Sequence, residues 1–272
     1  MNRVAVTAGA VAGLAVAGLA IAHAGPGITA IGPVRRRLFP QLAGLGRPDH
    51  VALTFDDGPD PASTPAFLDL LAARQLQATF FLLGPMVEEA PDLAAGIAAA
   101  GHEIAVHGWD HRYTILRGPR DVRADLARAT TVVSAATGQQ PRFFRPPYGV
   151  LSTGAIAAAH GLGLTPVLWS SWGREWTAGA TAETVFDTVV ADLAGGATIL
   201  LHDSDCTSPA GSAAAARDAL PRLLDECAAR GLRVGTLAEH GLDRRMAACL
   251  PGSPPPATQG GPAAQGGPAA FA

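Results

Sequence analysis

The sequence predicts an α/β domain built from parallel strands and crossover helices. Short apolar runs of strand length recur seven times between His50 and Leu237, helical stretches fill the gaps, and turn residues punctuate the changeovers. Strand–helix alternation sustained over that length calls for parallel pairing, either closed into a barrel or opened as a doubly wound sheet. The 272 residues are 48% apolar and 16% charged, enough to bury a sizeable core and too apolar for a disordered chain.

In order, strands are expected at His50–Phe55, Ala78–Leu83, His102–Val106, Arg142–Arg145, Leu164–Trp169, Ala197–Leu201 and Leu232–Leu237. Ser63-Thr64-Pro65 starts the first helix, with an N-cap residue followed by proline in the first turn, where its missing N–H is not needed. Pro91 opens the next helix and Gly101 closes it. Arg120–Thr137 runs to Gly138, Thr181 begins a helix that Gly195-Gly196 ends, and Ser212–Arg230 stops at Gly231 with a kink expected at Pro221.

The flanks read differently. Arg3 precedes an apolar run from Val4 to Ala22, and Ala22-His23-Ala24 has the small-x-small pattern of a cleavage site. The run is also just long enough to span a bilayer. Residues 1–24 are therefore expected to be a signal peptide or a membrane anchor, with attachment through residues 4–22. Arg35-Arg36-Arg37 lies beyond the run and, by the positive-inside tendency, opposes export. Residues 25–48, with their Gly and Pro, read as a linker. The tail 251–272 repeats Gln-Gly-Gly-Pro-Ala-Ala at 259–264 and 265–270 and is expected to be disordered. That leaves 49–250 as the folded domain.

Composition removes several functions. A net charge of −3 offers no basic field to a phosphate backbone, so no nucleic-acid partner is expected. All 20 basic residues are arginine, which excludes lysine Schiff-base and P-loop chemistry. Cys206, Cys227 and Cys249 are too few and too dispersed for a disulfide framework or a zinc–cysteine site.

The chemistry collects at strand ends. Asp56-Asp57 follows the first strand, His107 the third, Arg145 the fourth, Trp169 the fifth and His202-Asp203 the sixth. Parallel strands open their C-terminal ends on one face, where sites form. Adjacent carboxylates at a strand end point apart and can serve two targets, a metal and a water. His107 and His111, four apart, fall on one face of a helical turn and within reach of one cation. With Asp57 they complete two imidazoles and a carboxylate, with positions left open; Asp110, between them, is a competing ligand. Arg145-Pro146-Pro147-Tyr148-Gly149 is stiff backbone of the kind that aims an N–H at an oxyanion. His202, after a buried strand, is placed to act as a general acid.

Together, Thr54-Phe55-Asp56-Asp57-Gly58, His107-x3-His111, Arg145-Pro146-Pro147-Tyr148-Gly149 and Leu201-His202 resemble the polysaccharide deacetylase family, the carbohydrate esterases with the NodB homology domain, over about residues 50–240. The resemblance implies a distorted (β/α)7 barrel and hydrolysis of N-acetyl groups on an amino-sugar glycan of the cell envelope, with one divalent ion, usually zinc. It implies Asp57, His107 and His111 as metal ligands, Asp56 as general base with Arg145 as its partner, and His202 as general acid. It implies the Tyr148 N–H, beside Pro147, as oxyanion donor and Leu201 as part of the acetyl pocket. Hydrolysis of another acyl group and a non-catalytic glycan-binding barrel are the alternatives. A monomer exported from the cytoplasm, secreted or held on the outer face of the membrane, is expected.

One motif departs from the family. Trp169-Ser170-Ser171-Trp172-Gly173-Arg174-Glu175-Trp176 keeps flanking tryptophans but only one acid where the family has several. Glu175, Asp203 or Asp205 is left to orient Arg145 or tune His202, and Trp176 with its fellows is a candidate sugar platform or apolar wall.

Overall fold

The structure, a computed structural model, describes residues 13 and 15–242. Eight strands are defined: β1 His50–Asp56, β2 Thr79–Leu83, β3 Glu103–Gly108, β4 Phe143–Phe144, β5 Thr165–Pro166, β6 Ser171–Trp172, β7 Thr198–His202 and β8 Arg233–Gly235. They pair in the order β5-β4-β3-β2-β1-β7-β6, every pair parallel, with β8 beside the first half of β1. The expected alternation is therefore present, and the sheet curls into the barrel rather than opening as a doubly wound layer.

β1 is the axis of the sheet. All seven of its residues are buried, as befits a strand with neighbours on both edges and covered on both faces. Its alternate positions serve two compartments. Val51, Leu53 and Phe55 point outward to the helices, where Phe55 stacks on Phe80 and meets Phe67 edge-on, with centroids 5.0 and 5.1 Å apart. Ala52 points inward and joins Phe81, Ala105, Phe143, Val167 and Leu237 in a small inner core. Thr54 and Asp56 continue that inward row toward the open end.

The helices are α1 Gly32–Leu38, α2 Thr64–Ala73, α3 Gly84–Glu89, α4 Pro91–Ala99, α5 Pro119–Thr137, α6 Thr153–Gly161, α7 Ala182–Asp192 and α8 Ser212–Ala229. Thr181 caps α7 with a reciprocal capping box, and Gly138 ends α5 in the left-handed conformation, both as their residue types direct. Ser63 sits at the N-cap of α2, but its hydroxyl donates to the Asp203 carbonyl instead of capping. Helix α6 is an addition to the expected elements; Ser152 starts it by accepting the Ala155 N–H. The run expected as one strand, Leu164–Trp169, is the beginning of a longer extended segment. β5 at its start pairs with β4, and β6 beyond its end pairs with β7, so Thr165–Trp172 closes the barrel.

That closure corrects the linker assigned to 25–48. The segment is a 3-10 helix, Gly25–Ala30, followed by α1, and it packs over the Thr165–Trp172 seam. Between β5 and β6 the chain has no full strand ladder, so arginines satisfy its carbonyls. Arg145 donates to Val167 and Leu168 from inside the barrel, at 3.4 and 2.9 Å. From outside, Arg35 donates to Trp169 at 2.7 Å and Arg36 to Ser170 at 3.1 Å, while Leu42 O accepts the Leu168 N–H at 2.7 Å. Composition alone suggested a linker because Gly and Pro dominate; buried Arg35, Leu42 and Ala43 make the segment part of the domain.

At the barrel's lower end, His50 and His240 share one hydrogen bond between their Nδ1 atoms at 2.8 Å, and His240 Nε2 reaches the Gly44 and Gly196 carbonyls. Cys206 and Cys227 are free thiols. Cys249, the tail 251–272 and most of the apolar run lie outside the described residues.

Candidate active site

The inward row of β1 ends in Asp56. Asp57 follows at φ 77°, in the left-handed region that side chains rarely adopt, and this turn brings its carboxylate to the barrel mouth. His107 stands near the end of β3. The spacing predicts His111 on the same helical turn, but no helix forms there. Gly108 at φ 97° breaks the strand, Asp125 takes the Trp109 N–H at 2.9 Å, and His111 at φ 49° turns back so that the two imidazoles lie 5.1 Å apart. A strand end and a tight loop thus achieve the convergence that the spacing assigns to a helix.

Asp57 Oδ1 lies 3.3 Å from His107 Nε2 and 3.4 Å from His111 Nε2. One ligand atom from each of the three residues falls within 4.8 Å of the others. Asp57 Oδ1 is buried without a hydrogen-bond partner, a condition native interiors rarely leave uncompensated. His107 Nδ1 is bonded to the Arg145 carbonyl at 2.9 Å, which places its proton there and turns the Nε2 lone pair toward Asp57. Burial alone would raise the Asp57 carboxyl, but the imidazoles of His202, His107 and His111 reverse this and hold it below its usual value. Burial, then His107, pushes His111 down to about 4, leaving a neutral ring able to ligate. These donors fit a divalent cation with open coordination positions. Asp110 is not among them; it turns outward toward Arg112.

Two buried pairs flank this trio. Arg145, fully buried, donates from one nitrogen to Asp56 Oδ1 at 2.6 Å and to Thr54 Oγ1 at 2.9 Å, and its guanidinium lies 4.0 Å over the Phe81 ring. Asp56 Oδ2 is left facing His107 at 3.8 Å. On the other side, Glu175 Oε1 lies 2.9 Å from His202 Nδ1 and accepts the His202 amide at 2.6 Å. Burial disfavours the imidazolium, but the Glu175 carboxylate, then Asp57 and Asp56, outweigh it and raise His202 to about 9. His202 Nε2 points at Asp57 Oδ2, 3.9 Å away, an oxygen that also accepts from Thr207. Of the three acids left open by the sequence, Glu175 is the one on His202. Asp203 is tied to Thr64 at 2.5 Å, and Asp205 accepts the backbone N–H groups of Gly211 and Ala213. Among the described residues no acid besides Asp56 meets Arg145, whose other nitrogens donate to the Val167 and Leu168 carbonyls.

These groups line a cavity of about 340 Å³ walled by Trp169, Trp172 and Trp176. Trp176 stands edge-on to His202 at 5.2 Å. Tyr148, at φ 59°, stacks on Tyr113 at 4.0 Å and leans on His111 at 4.6 Å. Pro147 is buried behind it, near Gly108. Leu201 faces away from the cavity, into the helix-side core beside Ile199. Leu200 lines the cavity instead, because strand side chains alternate and His202 fixes which parity faces inward. That parity rule, applied backward from His202, was the signal that could have found Leu200. Nothing in the local sequence marked Thr207 or Arg35.

Comparison with known proteins agrees with this geometry. Residues 44–167 match the family model described as polysaccharide deacetylase. The chitooligosaccharide deacetylase of Sinorhizobium fredii is 35% identical over 205 residues, covering 73% of this chain and 94% of the relative. Among solved structures, the Bc1960 peptidoglycan N-acetylglucosamine deacetylase superposes with a TM-score of 0.67 at 31% identity, over 72% of this chain and 90% of that one. A mutant of BA3943, a CE4 family pseudoenzyme with restored activity, superposes at 0.64 and 26% identity, over 72% and 68% of the two chains. The strand-end motifs, the curled parallel sheet and these likenesses lead to one conclusion: the chain belongs to the polysaccharide deacetylase family.

Proposed function

We propose that the protein is a metal-dependent deacetylase that removes N-acetyl groups from an N-acetylglucosamine-containing glycan of the cell envelope, releasing acetate and a free amine. The observation that carries this reading is the convergence of the Asp57, His107 and His111 ligand atoms around an unpaired carboxylate oxygen, between an Asp56–Arg145 pair and a His202–Glu175 pair. Its relatives act on chitooligosaccharide and on peptidoglycan.

Asp57, His107 and His111 would hold one divalent ion, with zinc the best match to two imidazoles and a carboxylate. When bound, it supplies positive charge that polarises a carbonyl and acidifies water. Asp56, oriented by the Arg145 hydrogen bond to Oδ1, takes the proton of the attacking water at Oδ2. The Tyr148 N–H, on its stiff Pro-Pro-Tyr-Gly turn, steadies the developing oxyanion. His202, held as imidazolium by Glu175, gives its proton to the departing amine nitrogen. The acetyl methyl is received by Leu200 and the tryptophan wall.

The site is complete within one chain, in keeping with a monomer. A cell-envelope substrate supports a working protein outside the cytoplasm, carried there by the N-terminal apolar segment as a cleaved signal or a retained anchor. A purely glycan-binding role is the second reading, favoured by the likeness to a BA3943 mutant whose parent is described as a CE4 family pseudoenzyme; a binding module has no use for an acid–base pair such as Asp56 and His202. Acetate release from an N-acetylglucosamine oligomer by the purified protein, abolished by a chelator and restored by zinc, tests the proposal. Full binding of the oligomer with no acetate released at any metal load overturns it.

A further inference from the structure

The large apolar side chains that this protein leaves in solvent are not scattered. Among the described residues there are ten, and seven of them lie between Val16 and Phe39. The other three are Tyr148, which lines the active-site cavity, Tyr113, which stacks on it, and Leu116, three residues further on. A water-soluble surface rarely concentrates apolar groups in this way without a partner.

The two groups adjoin. A helix at residues 15–24 carries Leu19 and Ile21 and ends beside the segments that flank the mouth: Ala22 O accepts from Thr153 Oγ1 at 2.5 Å, and His23 Nε2 meets Ile115 O at 3.1 Å. Ile115 neighbours Leu116 and lies two residues from Tyr113, whose ring leads through Tyr148 to His111. No slack separates this helix from the barrel. It runs directly into the 3-10 turn Gly25–Ala30, which touches the Pro147–Gly149 loop, and then into α1, which Arg35 pins to the seam. Beside α1 an apolar cavity of about 520 Å³ opens among Ile28, Leu38, Phe39, Leu42, Ile156 and Val167.

Charge selects the partner. Residues 1–48 contain five arginines and no acid, the first acid being Asp49, in a chain whose net charge is −3. On the same short helix as Leu38, Arg37 is exposed, whereas Arg36 pairs with Asp192 at 3.3 Å and Arg35 is buried. Apolar side chains around the free Arg37 guanidinium suit an anionic phospholipid surface. No single described helix is long and apolar enough to cross a membrane; Ala15–Ala30 and Gly32–Leu38 meet at 95°, so α1 turns away from the line of the preceding helix.

We propose that, with the N-terminal segment retained, the face from Val16 to Phe39 rests on an anionic phospholipid bilayer and holds the mouth against it, so that the substrate is an amino-sugar glycan anchored to that membrane by a lipid. This rests on the deacetylase reading above and narrows it. A glycan layer remote from the bilayer would lie beyond the reach of a mouth held in this way.

The test uses the full chain on vesicles of phosphatidylcholine and phosphatidylglycerol. Acetate release is compared between an N-acetylglucosamine oligomer carrying a lipid anchor in the same vesicles and the same oligomer free in solution. The wild type should prefer the anchored form. Ile31→Asp with Leu38→Asp should cut that preference by about tenfold, the equivalent of losing one buried apolar side chain, while the free oligomer is processed as before. If that variant fails to fold, a flexible Gly-Ser spacer inserted between Ala24 and Gly25 makes the same test. Equal preference before and after these changes overturns the inference. So does a stable dimer that buries this face and leaves the vesicles unbound. No acetate from either oligomer would count against the deacetylase reading instead.

Discussion

Glu175 holds His202 twice, through the ring nitrogen Nδ1 at 2.9 Å and through the backbone amide at 2.6 Å. The same carboxylate oxygen makes both contacts, so it fixes the ring's position along the strand as well as its charge. Its other oxygen is buried and unbonded, which leaves the negative charge directed at the imidazole.

Glu175→Gln keeps the shape and removes that charge. His202, now at about 9, should titrate at lower pH, because burial still disfavours its charged ring and the neighbouring carboxylate that most offsets this is gone. A general acid works only while protonated, so the alkaline limb of the pH–rate profile should move down. The rate near neutrality should fall by about 10²-fold, the low end for general acid catalysis. An unmoved alkaline limb would remove Glu175 from the mechanism.

Asp56→Asn should separate chemistry from metal binding. Arg145 can still bond to an amide oxygen, so the metal should stay while the rate drops by about 10²–10⁴. His107→Ala should instead lose the metal along with activity. Metal analysis of the two purified variants decides between them; loss of the ion from Asp56→Asn would exchange the roles of the two aspartates.

Arg35→Ala tests whether the segment before residue 49 belongs to the domain. It strips the Thr29 and Trp169 carbonyls of their donor inside the protein. Each unsatisfied buried group costs about 1–3 kcal/mol, so unfolding free energy should fall by roughly 2–6 kcal/mol in denaturant titration. A chain beginning at residue 49 should fare worse, since it also loses Leu42 and Ala43. Full stability of that shortened chain would restore the linker reading.

The His50–His240 pair predicts how stability responds to acid. Burial lowers both rings, His240 to about 4, against 6.5 for a free histidine. A histidine whose folded pKa is depressed contributes stability above its unfolded value and loses it as pH falls. Stability should therefore decline from about pH 6.5 toward 4. His240 alone accounts for on the order of 3 kcal/mol of that decline. His240→Gln should lower stability at pH 7 and flatten the slope in that window; an unchanged slope would show that the pair does not titrate there.

Much of this is legible in the sequence, for a physical reason. Buried parallel strands must be apolar along their length, so β1, β2, β3 and β7 announce themselves, and parallel pairing forces their ends to one face. Asp56, Asp57, His107, Arg145 and His202 could thus be assigned to one mouth from sequence order alone. Local rules also sufficed for α7 and for the end of α5, where Thr181 and Gly138 act within one turn of themselves. The tertiary structure decided what no local rule reaches. It put His111 opposite His107 through a loop rather than a helix, because Gly108 breaks the strand and Asp125, sixteen residues on, captures the Trp109 amide. It chose Glu175 over Asp203 and Asp205, because only the barrel closure brings that loop to His202. It turned Leu200 inward and Leu201 outward. It also made residues 25–48 part of the domain. Hydrogen bonds between Arg35 and a carbonyl 134 residues away leave no trace in composition or periodicity, and only the closed barrel brings the two together.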